Sequence, residues 1–483
     1  MERGNRTYQY LAVSAVSSSA VTVGVLFSWA TPVLPKIAHN EIGFPMNDAE
    51  VSWVVAISSI GYVIGSFIAR IISDRCGRRI TILGSALPMI IGTILTIFAW
   101  EALMLSTGRF LWGTGTGMVV VASALYIAEI SDKDIRGRLS LTNRFMFSFG
   151  CLLVISVGTF VSYETLNYML LALPVLFFVA CWWIPESPYY LLKAGKVETA
   201  RRTLQMLTGV KNEDVLEEKI SQMTSHVRVE MNRSDSIKEF LTGKLYRRAI
   251  VIVIGLRVFQ IMTGIHAIQN YLGPILMESK SGMSITTALI LFGAVRFLLG
   301  IMSSVLVDRS GRRPLMILSF FGTGVLLAVI AAYFGMNNST HQATHPYGLI
   351  PFVGIIIAVF ISALGYESVA YLIPSELFPM NVKTIAMAMT SASSGLINFV
   401  SIKTYQQIKD VTGLCGVFTS YALAAFMGAA FCYFLLPETK GKSLKEIQIE
   451  LHGNIYDEEE KLNKVTVNMS INEGDKAERK FVT

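Results

Sequence analysis

The chain is poor in charge. Of its 483 residues only 16% are Asp, Glu, Lys or Arg, while 52% are hydrophobic, and mean hydropathy is +0.52. A soluble domain carries about 25% charged residues, so a soluble globular protein is excluded. Cysteine is scarce as well. The five present, Cys76, Cys151, Cys181, Cys415 and Cys432, show neither metal-ligand spacing nor a disulfide framework, which leaves small apolar packing as their role. The apolar stretches do not alternate with polar residues over about ten positions, so strands of a β-barrel are excluded and helices remain as the spanning elements. No Gly-Lys-Ser/Thr follows the run Gly113-x-Gly115-x-Gly117, which removes a nucleotide loop and leaves a helix-packing face. No Ser-His-acid or metal constellation is apparent, so neither an enzyme nor a cofactor is expected.

What the chain has is apolar length. Crossing a hydrocarbon core takes about 20 residues, and twelve stretches qualify: 10–33, 51–72, 80–100, 104–128, 141–161, 167–184, 249–275, 285–306, 314–335, 348–373, 384–408 and 414–436. The first is too long for a signal-peptide core and lacks a cleavage site, so it stays as a helix. The fold class is therefore an all-α membrane protein. Its net charge of +7 is unevenly placed. Basic residues gather before the first stretch and after the second, fourth, sixth and eighth, while the alternate loops are nearly free of them. The positive-inside rule puts both termini in the cytoplasm, and it accounts for the basic excess without a nucleic-acid partner. The outer loop then holds Asn337 and Asn338, two overlapping glycosylation acceptors.

One motif occurs twice. Asp74-Arg75-Cys76-Gly77-Arg78-Arg79 returns as Asp308-Arg309-Ser310-Gly311-Arg312-Arg313, each in a short break between apolar stretches. Glu129 is answered by Glu376, and Pro185-Glu186-Ser187-Pro188 by Pro437-Glu438-Thr439-Lys440, in the same order. Such repetition describes two similar halves joined in a membrane, a transporter signature. The division predicts a six-helix bundle over 1–184, a linker over 185–247, a second bundle over 248–436 and a tail over 437–483. The linker has apolar residues at turn spacing (Val197, Ala200, Leu204 and Leu207, then Ile237, Phe240 and Leu241), the mark of short amphipathic helices. The tail becomes charged, and disorder is expected from about residue 455. In the motifs, Gly77 and Gly311 supply a tight turn, Asp74 and Asp308 are placed to cap the following helix, and the arginines face Glu129, Glu186, Glu376 and Glu438 as partners. This predicts a cytoplasmic ion-pair network that holds the halves together in one state and breaks in another.

These residues carry a family resemblance. The chain resembles the sugar porter family of the major facilitator superfamily from its first helix to Leu444. Besides the two loops it has Gly108-Arg109, Tyr126-Ile127-Ala128-Glu129, Arg136-Gly137-x-Leu139, Glu376-x-Phe378-Pro379 and Pro437-Glu438-Thr439-Lys440-Gly441. The run Trp29-Ala30-Thr31-Pro32-Val33-Leu34-Pro35-Lys36 is similar to insect facilitated trehalose transporters. The resemblance implies twelve transmembrane helices in two six-helix bundles around a central sugar site. Cytoplasmic pairs from Asp74, Arg75, Arg78, Arg79, Glu129, Arg136, Glu186, Asp308, Arg309, Arg312, Arg313, Glu376 and Glu438 would favour the outward-open state.

At the implied sugar site the chain departs from its family. In the seventh helix Gln260, Thr263, Gly264 and Tyr271 match, but Ile261 replaces a second glutamine, His266 an asparagine and Asn270 a tyrosine. Glu367-Ser368-Val369-Ala370-Tyr371 stands where the tenth helix has Gly-Pro-x-Pro-Trp. Ser394-Gly395 stands for Asn-Trp in the eleventh, where Phe399 keeps an aromatic match. Arg144 occupies a position that carries a sugar-binding glutamine in human facilitative glucose transporters, and Arg296 one that often carries asparagine. Arg257 lies three residues before Gln260, on the same helical face. A charge at mid-membrane costs at least about 2.5–3.5 kcal/mol, so each arginine needs a partner or an aqueous cavity, and Glu367 is the only acidic residue at that depth.

The expected substrate contacts are Gln260, Thr263, His266, Tyr271, Tyr371, Phe399, Arg144 and Arg296. No membrane-embedded aspartate occurs between Tyr8 and His39, where proton-coupled members of the family carry one, so facilitated diffusion of a hexose or trehalose across the plasma membrane is expected. Guanidinium donors keep an organic anion or sugar acid open as the cargo, and a non-transporting sugar sensor is the third reading. Neither a metal nor an obligatory protein partner is implied.

Overall fold

The computed structural model describes residues 7–132, 135–209, 213–232, 244–279, 282–306, 311–337, 347–378, 383–440, 442 and 446. Asp308, Arg309 and Asn338, the side chains of Arg136, Asn337 and Tyr371, the linker residues Ile237, Phe240 and Leu241, and the tail from 447 lie outside the described residues.

Apolar composition becomes helix throughout. In chain order the helices are α1 (Thr7–Ser28), α2 (Ala30–Ala38), α3 (Asp48–Arg75), α4 (Arg78–Ile97), α5 (Ala102–Ile130), α6 (Arg136–Phe160), α7 (Tyr163–Cys181), α8 (Pro188–Lys193) and α9 (Val197–Thr208). They continue as α10 (Glu213–Asn232), α11 (Lys244–Met262), α12 (Ile265–Asn270), α13 (Leu272–Glu278), α14 (Ile285–Leu306), α15 (Arg312–Asn337), α16 (Ile350–Leu364), α17 (Tyr366–Leu377) and α18 (Lys383–Leu435). Nine stretches of the described chain are long and apolar enough to cross a bilayer, and α16 with α17 forms a further, bent one. The shorter apolar α14 adds another. In α18, Gly413 leaves helical geometry (φ 68°, ψ −172°), so one run serves as two spans. These are the twelve helices of the expected fold. Their outward faces stay apolar: Phe67, Leu87, Phe98, Leu176 and Leu318 are each more than half exposed, a surface suited to lipid rather than water.

Small residues set the closest helix contacts. A methyl group at Gly113 would drive into the Ser58 carbonyl, and one at Gly117 into that of Tyr62, both on α3. Gly115, between them in sequence, turns to α4, where a Cβ would meet Met89 at 2.5 Å. The glycine run is thus a packing face on two sides of α5, as expected. Gly24 of α1 and Gly150 of α6 make the same close approach to each other's helix at Phe147 and Val21.

Two breaks shape the interior. At Trp29, α1 gives way to α2, and the indole is buried against Trp112 and Tyr163, with centroids 5.5 and 6.3 Å away. Its Nε1 donates to Asn167 at 3.0 Å. At Gly264 (φ 73°) α11 ends and the chain re-enters as α12. Outside the spans, α8, α9 and α10 pack through Leu191, Leu192, Ala200, Leu204, Leu216, Ile220 and Val227 into a small core of their own. Of the turn-spaced linker residues, Ala200 and Leu204 enter that cluster, Leu207 packs into the main core, and Val197 is exposed.

Candidate functional site

The repeated motifs build two matching clusters at one end of the bundle. Arg78 is nearly buried and grips Glu129, with Nε at 3.1 and 3.0 Å from the two oxygens and Nη2 at 2.8 Å. Its Nη1 donates to the Ser73 carbonyl at 2.7 Å. Glu186 accepts the backbone N–H groups of Arg78 and Arg79, at 3.0 and 3.2 Å, and Ser187 donates to Glu129. In the second copy Arg312 meets Glu376 at 3.3 Å. Glu438 takes the N–H groups of Arg312 and Arg313 at 3.0 and 3.1 Å, and Thr439 donates to Glu376 at 2.5 Å. Even the outer arginines correspond, Arg79 donating to the Trp182 carbonyl and Arg313 to that of Tyr433.

One expectation is corrected here. The cap of α4 is Glu186, because the free N–H groups of a helix start attract a carboxylate; Asp74 ends α3 instead and pairs with Lys193 at 3.2 Å and Arg78 at 3.9 Å. Among the described residues each motif cluster closes within its own six spans, so in this state the pairs brace each half, as the expected network does when it is broken between the halves. Burial raises the Glu438 carboxyl, but the N–H donors of Lys440, Arg312, Arg313 and Thr439 outweigh it and hold the group below its ordinary value.

Between the halves lies a cavity of about 620 Å³, a size suited to a small molecule. Arg144, Arg257, Gln260, His266, Arg296 and Glu367 line it. The structure therefore brings together four of the expected contacts: Gln260, His266, Arg144 and Arg296. Three others stand behind the wall. Thr263 is buried, donating to the Gln260 carbonyl at 2.7 Å and accepting from Tyr366 at 3.2 Å. Tyr271 is stacked on Tyr405 at 4.1 Å, and Phe399 packs on Trp53 at 5.7 Å. Past the Gly264 turn, His266 and Asn270 face the cavity while Tyr271 does not. Ser394 and Gly395 line the cavity where the resemblance implied a large pair, and at Gly395 α3 packs so close that an added Cβ would meet Val63 at 2.4 Å.

Polar wall groups are incompletely used. Arg257 donates to Gln260 Oε1 at 2.9 Å, as their spacing predicts, and Arg144 to Ser368 Oγ at 3.2 Å. Arg296 Nη1, His266 Nδ1, Asn143 Oδ1 and Asn398 Oδ1 are buried without hydrogen-bond partners, and all four residues line the cavity. Glu367 sits in the first turn of α17, where the helix dipole favours a carboxylate. It neutralises no arginine: among the described residues it forms no ion pair. Arg109 also borders the cavity but is spoken for. It donates to the Leu26 and Val54 carbonyls at 3.0 and 3.2 Å and lies 4.9 Å from the Trp29 ring centroid.

Away from the motifs, the halves are stitched together. Gln269 Nε2 donates to Ser28 Oγ at 2.8 Å, and Thr31 Oγ1 to the Gln269 carbonyl at 3.0 Å. Asn398 Nδ2 donates to Ser59 Oγ at 2.9 Å. Lys403 Nζ reaches Ser52 Oγ at 2.7 Å and lies 4.5 Å from the centroid of the Trp53 ring. The sequence reading passed over Lys403. Its signal was a cation four residues after Phe399, near the end of a span.

A model of the family described as sugar (and other) transporter matches residues 11–451. A facilitated trehalose transporter of Bombyx mori is 29% identical over 443 residues, covering 92% of this chain and 86% of its own. One from Aedes aegypti is also 29% identical, over 92% of this chain but only 55% of its own longer sequence. Among solved structures, the inward open conformation of the xylose transporter XylE from E. coli superposes with a TM-score of 0.76 at 20% identity, over 92% of this chain and all of that one.

Proposed function

Because the chain belongs to the sugar (and other) transporter family, we propose that it carries a hexose or trehalose across the plasma membrane by facilitated diffusion. The halves 1–184 and 248–436 rock about the central cavity, with the termini and both motif clusters in the cytoplasm. Asn337 and Asn338 are then candidate glycosylation sites on the outer face. In this orientation the stitched end is the extracellular one, closed by the Ser28–Gln269 and Ser59–Asn398 hydrogen bonds. The motif clusters stiffen the cytoplasmic ends that must part, and Arg75, Arg136, Asp308 and Arg309 are candidates for the same gate.

One observation carries the substrate reading. The buried, partnerless groups of the cavity wall include a donor, Arg296 Nη1, and acceptors, Asn143 Oδ1 and Asn398 Oδ1. A sugar hydroxyl both donates and accepts, so a polyhydroxylated solute satisfies both kinds at once. An apolar solute would leave them all unmade, at about 1–3 kcal/mol each. Gln260 and His266 complete the contact set. The names of the insect relatives favour trehalose.

The test is uptake by purified protein in liposomes. Radiolabelled glucose or trehalose should enter down its gradient at a rate independent of a pH difference. Entry only under a proton gradient would refute facilitated diffusion, and a failure of every sugar tested, acidic sugars included, would refute the assignment.

A further inference from the structure

Resting on the reading of this cavity as the transport site, we infer that Asn398 couples bound cargo to closure of the outer mouth. Its side-chain amide takes a sugar hydroxyl at one end while the other end holds Ser59 of the opposite half. The outer end is fastened by Gln269–Ser28, Thr31–Gln269, Lys403–Ser52 and Asn398–Ser59. Of these, the last alone has both partners on the cavity wall. It is the fastening that a solute in the cavity reaches directly.

A departure in sequence builds this contact. Gly395 stands where the family resemblance implied tryptophan, and a Cβ there would meet Val63 at 2.4 Å and the Ser59 carbonyl at 3.3 Å. Glycine thus lets α3 approach α18 closely. Asn398 follows three residues later on the same helical face, and its Nδ2 donates to Ser59 Oγ at 2.9 Å. The other end of the amide, Oδ1, is buried without a hydrogen-bond partner. Leaving such an acceptor unmade is costly, and a sugar hydroxyl can fill it. The amide is planar and conjugated, so a donor at Oδ1 fixes its orientation and strengthens donation from Nδ2. Cargo and Ser59 therefore bind it cooperatively. The bridge holds whichever way round the amide sits, because serine and sugar hydroxyls both donate and accept. By reciprocity, cargo that tightens this seam is itself bound more tightly when the seam is shut. Lys403–Ser52 braces the same seam from outside the cavity wall and touches no cargo.

The experiment uses the full-length protein in intact cells with a reporter cysteine, Ile402→Cys, on the cavity wall one turn outward of Asn398. A membrane-impermeant maleimide added outside reaches this position only when α3 and α18 part, and label on the parent without the reporter is subtracted. Saturating glucose or trehalose should slow labelling roughly 2- to 10-fold, the scale of one hydrogen bond. Ser59→Ala should speed labelling without sugar and abolish the protection by sugar, and Asn398→Ala should do the same. Ser52→Ala should also speed labelling yet leave the protection in place. Protection that survives Ser59→Ala or Asn398→Ala means that sugar merely covers the cysteine, and overturns the inference. Loss of protection in Ser52→Ala overturns it too, because the seam as a whole would then carry the effect. Sugar uptake without protection in the reporter protein refutes the coupling and leaves the transporter reading standing. If no sugar enters and none protects, both fall. Either Ser59→Ala or Asn398→Ala decides the matter if the other fails to fold.

Discussion

Replacing Glu129 by glutamine should destabilise the protein far more than the same change at Glu376, although the two glutamates are counterparts. Arg78 is held by three contacts to both oxygens of Glu129, and the side chains are only 6% and 12% exposed. Removing one partner of a buried ion pair costs about 3–5 kcal/mol, because the other charge is left stranded. Glutamine keeps one acceptor oxygen, which places the loss near the lower bound, about 3 kcal/mol. At the second copy Arg312 reaches a single oxygen of Glu376 at 3.3 and 3.4 Å, with side chains 14% and 24% exposed. Wider spacing and nearer solvent reduce that pair to about 1 kcal/mol. The assay is thermal unfolding of the detergent-solubilised protein followed by tryptophan fluorescence, with both single variants compared under one set of conditions. Glu129→Gln should show a midpoint several degrees below that of Glu376→Gln. A double change, Arg78→Met with Glu129→Leu, should recover much of the loss, since no charge is left unpaired. Equal midpoints for the single variants, or the reverse order, would refute the argument.

Gly117→Val should abolish folded expression, measured by size-exclusion of a fluorescent fusion, because its side chain meets the Tyr62 backbone; Gly84→Ala, with nothing within 4 Å of its added carbon, should be silent. Tyr271→Phe should change sugar half-saturation by less than about twofold, since the lost hydroxyl has no partner and stands behind the cavity wall; a large loss of uptake would return Tyr271 to the site. The second motif cluster should lose stability in acid. Glu438 has its carboxyl held below the ordinary value, so its stabilising contribution is complete above the unfolded-chain value of about 4.3 and disappears as pH falls through the lower folded one. Melting points measured from neutral pH to about pH 3 should fall more steeply for the parent than for a variant in which Lys440 is replaced by proline, because removing that N–H donor brings the folded value back toward the unfolded one.

Much of the architecture was legible because lipid leaves few options. Long apolar runs must be helices, and charges in the short breaks between them must find partners, so Arg78 with Glu129 and Arg312 with Glu376 followed from the doubled motif. Their geometry did not follow. That Glu186 and Glu438 would take backbone N–H groups at a helix start depends on where the chain folds back after the sixth and twelfth spans. The cavity was legible up to Gln260, where Arg257 and Gln260 share a face by helical spacing. Beyond it the left-handed turn at Gly264 resets the phase: His266 still reaches the cavity, whereas Tyr271 stacks on Tyr405 behind it. Phe399 was identified as an aromatic match, yet its place is against Trp53 in the closed end. Lys403 was missed for a related reason: a lysine near a span end reads as snorkelling, and only the packing of α18 on α3 gives it a partner across the halves.

The breaks at Trp29 and Gly264 stand in register, separated by the same chain length as Arg78 and Arg312 to within one residue. Each detaches a short tip, α2 or α12, from a long stem, and the tips are fastened to each other through Gln269, Ser28 and Thr31. The stems are packed by glycines and large aromatics and are stiff, whereas the fastening is a pair of ordinary hydrogen bonds. Such a joint resembles a clasp hinged on both sides. Swinging the two tips frees only this joint, because the Ser59–Asn398 and Ser52–Lys403 hydrogen bonds between α3 and α18 must also part before that mouth opens.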